Sequence, residues 1–138
     1  MGGRTSAPFI LTLLTSLVAP GPAARGDQQP CVSWTQRSPA TSPSARTAYD
    51  AMTYDSARGV TVLFGGYYYD GSNHFLADTW EWDGANWTQR SPVNSPPGRA
   101  SHAMDYDSAY GVSVLFGGGN DGGGLSDTVS ARASFLYQ

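Results

Sequence analysis

Tyr54-Asp55-Ser56-Ala57-Arg58-Gly59-Val60-Thr61-Val62-Leu63-Phe64-Gly65-Gly66 returns as Tyr106-Asp107-Ser108-Ala109-Tyr110-Gly111-Val112-Ser113-Val114-Leu115-Phe116-Gly117-Gly118. Each copy reads as the end of one strand, a polar turn closed by glycine, a β-branched apolar strand and a di-glycine stop, which is the pattern of a β-hairpin. Asp55 and Asp107 stand where a carboxylate folds back onto its own backbone in a turn. Outward from this stretch a second phrase repeats: Trp34-Thr35-Gln36-Arg37-Ser38-Pro39 returns as Trp87-Thr88-Gln89-Arg90-Ser91-Pro92. Trp34 and Trp87 are 53 residues apart and Phe64 and Phe116 are 52 apart, so spacing as well as composition is copied. A fixed period of this size marks one structural unit used more than once.

Within a copy the apolar residues alternate, and Gly, Pro, Asp and Asn gather between them. The spacing predicts a first strand over Thr47–Tyr54, a second over Val60–Phe64, a long polar and aromatic loop from Tyr67 to Phe75, a third strand over Asp78–Trp82 and a fourth over Asn86–Gln89. Asp83-Gly84 between the last two is a strong hairpin signal. The glycine-rich run Gly117–Leu125 takes the place of the Tyr67–Phe75 loop in the second copy and is expected to be a flexible connection.

Four short antiparallel strands repeated about every 50 residues resemble a kelch blade, the unit of a β-propeller. The resemblance rests on Arg46 and Arg99 at the start of strand one, on Phe64-Gly65-Gly66 and Phe116-Gly117-Gly118 at the end of strand two, and on Trp82 and Trp87. The two tryptophans lie closer together than in the common kelch pattern, which points to a shortened hairpin between strands three and four. The resemblance implies an all-β fold of kelch-type β-propeller blades, about one complete four-stranded blade plus two partial ones, in an incomplete ring. The kelch region is expected over residues 34–128, with copies at about 34–86 and 87–128, and residues 129–138 as a divergent tail. The Trp34 segment matches strand four, so it reads as the outer edge of a blade whose other strands are elsewhere. Propellers close with about four to eight blades, so further blades in cis or a homo-oligomer are needed to complete one. The loss of the Trp-x-Trp-Asp pattern at Val129 favours a truncated longer gene over a short self-assembling protomer.

Residues 1–24 read as a signal peptide: Phe9–Val18 is an uncharged apolar run of about ten residues, half of the ~20 that span a bilayer, and small residues up to Ala24 offer a cleavage site. Residues 25–33 read as a linker. A secreted, periplasmic or cell-surface location follows, with no transmembrane segment after cleavage. Whole-chain charge is −3, from 8 Lys+Arg against 11 Asp+Glu. The eight basic residues are all Arg and lie scattered, which argues against a nucleic-acid partner. Cys31 is the only cysteine, so no intrachain disulfide forms.

No catalytic, metal or cofactor-binding constellation emerges. His74 and His102 are the only histidines and have no ligand-like neighbours at metal spacing. His102 sits on strand one, where the resemblance implies a structural histidine. Asn86-Trp87-Thr88 matches the glycosylation acceptor pattern, but Asn86 is also a natural turn residue. The best candidates for ligand contact are Tyr67, Tyr68, Tyr69, Asn73 and His74, where amphipathic rings beside polar groups suit a protein, peptide or glycan ligand. Arg46 and Arg99 are candidate inner-face contacts for an anionic partner, or else bind backbone carbonyls. The expected function is an extracellular binding or scaffold module without chemistry of its own. The alternative is a truncated remnant of a galactose-oxidase-like or glycan-processing propeller enzyme whose active residues lie outside this chain.

Overall fold

A computed structural model describes residues 32–47 and 51–132. The signal segment, Cys31 and residues 133–138 lie outside the described residues. The chain divides into two compact units, residues 1–35 and 36–138. The described part of the first unit takes no strand, and the second unit is all-β, with no helix among the described residues.

Its first sheet is the expected four-stranded unit. Strands β1 (Ala51–Asp55), β2 (Val60–Phe64), β5 (Thr79–Trp82) and β6 (Trp87–Arg90) lie in the order β1-β2-β5-β6, every pair antiparallel. The β1–β2 turn forms as the sequence demands: the Asp55 carboxylate accepts the backbone N–H groups of Ala57 and Arg58, and Gly59 N–H returns to Asp55 O at 2.8 Å. Asp83 does the same for Ala85 and Asn86 between β5 and β6. The second sheet repeats the design with β7 (Ala103–Asp107), β8 (Val112–Phe116) and β11 (Thr128–Ala131), in the order β11-β8-β7. Among the described residues no sheet closes into a barrel.

Four details differ from the sequence expectation. Tyr67–Phe75 is not a loop: β3 (Tyr67–Tyr69) and β4 (Asn73–Phe75) form a hairpin, because cross-strand rings and the Asp70-Gly71-Ser72 turn supply what a hairpin requires. The glycine-rich connection likewise pairs, as β9 (Gly119–Asn120) with β10 (Gly123–Gly124). Third, Thr128–Ala131 keeps its place as a third strand without the tryptophans, since the ladder to β8 is made of backbone groups; the strand thus runs past the boundary at residue 128. Fourth, the Trp34 segment forms no strand, although its twin Trp87–Arg90 does; β6 exists by pairing with β5, and no ladder reaches Trp34. Thr47 contributes only an isolated bridge to Tyr67.

Side chains alternate across each strand, so Thr53, Asp55, Val62 and Phe64 share one face of the first sheet. The second sheet covers that face, with β7 lying along β1. Among the described residues Val62, Leu63, Phe64, Ala100 and Leu115 are the buried apolar side chains. The Phe64 ring meets the edge of the buried His102 at 5.7 Å between centroids, and Tyr106 stands near enough to Asp55 to help lower its carboxyl.

Backbone completes the seam between the sheets. Gly66 N–H donates to Arg99 O at 2.9 Å, and Arg99 N–H donates to Leu76 O at 3.2 Å. This approach requires glycine before it. Gly65 has φ of +67°, and a Cβ there would lie 2.7 Å from Arg99 O. Gly98 has no such φ, but a Cβ on it would lie 2.3 Å from Phe75 O.

Gly65→Ala therefore combines left-handed strain with a backbone clash, and is expected to cost at least about 2 kcal/mol. Urea denaturation followed by tryptophan fluorescence reads this; an unchanged midpoint would contradict the seam described here.

Candidate functional site

Both connections between the second and third strands of a blade leave the sheets at the same end, and the sequence-predicted ligand residues lie on the first of them. In the β3–β4 hairpin, Tyr67 pairs with Phe75, Tyr68 with His74 and Tyr69 with Asn73. One face carries Tyr67 and Phe75, with ring centroids 5.3 Å apart, and the Tyr67 hydroxyl donates to Asn73 Oδ1 at 2.9 Å. The other face carries Tyr68 stacked on the His74 ring at 4.4 Å and 9°. His74 Nε2 is 2.9 Å from Asp70 Oδ1, and this contact holds the Asp70 carboxyl below its ordinary range. Tyr69 is exposed.

Asn73 joins the two hairpins, its Nδ2 donating to Asp121 Oδ1 at 3.2 Å. Beside this bridge lies an open cleft of about 480 Å³ lined by Phe75, Ala100, Ser101, Gly118, Gly119, Asn120 and Gly123. Of the five predicted hairpin residues none lines it; the hairpin's contribution is Phe75. Ser101 has φ of +58°, alone among the non-glycine residues described, a conformation that costs about 1–2 kcal/mol. Paired backbone bonds between Ala100 and Gly119, at 2.9 and 3.0 Å, hold the segment in place. Asn120 is held too: its Nδ2 donates to Gly98 O at 3.2 Å and its Oδ1 accepts Gly122 N–H at 2.9 Å.

Sequence reasoning missed Phe75, Ser101 and Asn120. Phe75 was legible as an aromatic at the hairpin's end, and Asn120 as the polar residue in a glycine run. Ser101 carries no signal; its positive φ follows directly after Ala100, which is bridged to Gly119.

Arg46 and Arg99 are each engaged within their own sheet. Arg46 grips both Asp78 oxygens at 3.0 and 2.9 Å and donates to Gly65 O at 2.7 Å. Arg99, fully buried, grips Asp127 at 2.6 and 2.8 Å and donates to Gly117 O at 2.9 Å. Their fork geometry is used up on a carboxylate and a carbonyl of the same blade. Each guanidinium thus bonds a backbone carbonyl and a carboxylate within its own blade. Burial pushes the Asp78 carboxyl up, but bonds from Arg46 and Trp80 outweigh this and leave it lowered.

At the opposite end, Arg58 bridges Asp55 at 2.6 Å and Glu81 at 2.6 Å, and Glu81 also meets Arg90 at 2.7 Å. Burial of Asp55 is likewise outweighed by bonds from Arg58 and Tyr106, and its carboxyl lies lowered. Among the described residues no three His, Cys, Asp or Glu side chains gather as a metal ion would need. No protein-family model matches the chain, and no curated protein matches it.

Arg46→Met removes the partner of a largely buried carboxylate and is expected to cost about 2–3 kcal/mol at pH 7. Asp78 is lowered from 3.8 on folding, so the folded state binds fewer protons there and its stabilisation is present above pH 3.8 and lost as pH falls below it. Urea denaturation should show the gap between wild type and Arg46→Met narrowing below pH 3.8; a gap constant down to pH 2.5 would contradict the ion pair.

Proposed function

We propose that this chain is an exported kelch-type binding module that holds a neutral, polar ligand of the glycan class in the cleft between its two hairpins. The kelch reading rests on the duplicated blade pattern, on the arginine starts and di-glycine stops of each copy, and on a sheet built in the order those repeats require. Export rests on the apolar Phe9–Val18 run. The observation that carries the binding reading is the composition of the cleft: one aromatic ring, one strained serine, one held asparagine and exposed glycine backbone, with no charged side chain in its lining. Its volume falls within the range of small-ligand sites. A ring beside amide and hydroxyl groups suits a sugar, which offers an apolar face and hydroxyl edges; a charged peptide would find no counter-ion there.

Amide chemical-shift mapping of the full chain against neutral oligosaccharides and against acidic and basic peptides tests this. The expected result is shifts at Phe75, Ser101 and Gly119–Gly123 with the oligosaccharide only, weakened at least tenfold by Phe75→Ala. Shifts confined to other segments, or a response to peptides alone, would overturn it.

A further inference from the structure

The two sheets present the same two faces, and in each the chain leaves part of one bare; on the first sheet Leu63, which shares the Met52 face, is itself buried at 3%. On the first sheet Thr53, Asp55, Val62 and Phe64 are 4–7% exposed beneath the second sheet. The repeat-equivalent face of the second sheet bears Asp105, Asp107, Val114 and Phe116, and Phe116 is 55% exposed. On the opposite face the order reverses. Met52 and Tyr54 of the first sheet are each 58% exposed, whereas their equivalents Met104 and Tyr106 are half-buried in the seam.

The surfaces left bare are therefore the two halves of an interface the chain already makes once. Such halves are heterologous: each fits the other, not itself. We propose that a second copy of this chain docks its Met52–Tyr54 face onto the Phe116 face of the first, repeating the internal seam between molecules. The chemistry carries over: Tyr54 stands where Tyr106 stands, and Asp107 stands where Asp55 lines a recess with Tyr106. Exposed Phe, Met and Tyr side chains on paired strands are surface that association removes from water. One position differs. Asp105 takes the place of Thr53, which sets a carboxylate where the internal seam has a hydroxyl and makes the intermolecular seam the weaker of the two. The loss of the Trp-x-Trp-Asp pattern at Val129 does not interrupt the face, because β11 still pairs with β8.

Sedimentation of the full chain and of two variants, each altered at an exposed position, tests the docking. Wild type is expected to associate with rising concentration. Phe116→Glu and Met52→Glu should each be monomeric alone and should form a one-to-one dimer when mixed, since each retains the half that the other has lost. Phe116→Ser and Met52→Ser, which add no charge, should obey the same rule, and circular dichroism checks that all four keep the wild-type strand signal. A wild type monomeric at every concentration, variants that assemble alone, or a mixture that stays monomeric would overturn the proposal.

Discussion

Everything in this fold is arranged around a buried guanidinium that cannot be left alone. Arg46 and Arg99 are withdrawn from water at the start of the first strand of each blade, and an unpaired buried cation costs several kcal/mol. Each is answered by a carboxylate at the start of the third strand and by the carbonyl of the first di-glycine residue. Two points of the chain, Gly65 and Asp78, which lie 19 and 32 residues from Arg46 in the first blade, are thereby fixed on one centre. Lysine could not do this, since only the planar fork reaches both carboxylate oxygens while donating to a third acceptor. The clasp sets where the second strand stops and where the third begins. It thus decides where the intervening hairpin leaves the sheet, and so shapes the cleft.

The copies diverge where they meet different neighbours. Arg58 and Glu81 build a charged chain with Asp55 and Arg90 across the covered face of the first sheet. Their counterparts by position are Tyr110 and Ser130, so the second sheet keeps the backbone of the blade without its ionic cross-ties. The Asp turn, which depends only on local backbone geometry, is conserved between the copies in every bond: Asp107 receives Ala109 and Tyr110 as Asp55 receives Ala57 and Arg58.

What the sequence made legible was local. The β1–β2 and β7–β8 hairpins and the Asp83-Gly84 reversal are written in neighbouring residues, and each forms where the pattern placed it. The β3–β4 hairpin was harder to read because a di-glycine stop and a run of three tyrosines resemble a loop until Tyr67 finds Phe75. That Arg46 pairs with Asp78 was not legible, because nothing near it names that carboxylate. Trp34 shows the reverse limit: a strand sequence identical to that of β6 forms no strand where no ladder reaches it. The cleft was the least legible feature, since Phe75 and Asn120 come from different hairpins and the Ser101 conformation is imposed from outside.

Native-state amide hydrogen exchange tests the clasp most directly. The N–H groups of Gly65 and Gly117 bond Asp78 O and Asp127 O at 3.0 and 3.1 Å, and those of Gly66 and Arg99 bond across the seam. If the clasp fixes each blade and with it the backbone that forms the seam, these four amides exchange only when the whole unit unfolds, with the same opening free energy as the amides of β2. Exchange at the rate of an exposed turn amide such as Ser72, while β2 stays protected, would contradict the account.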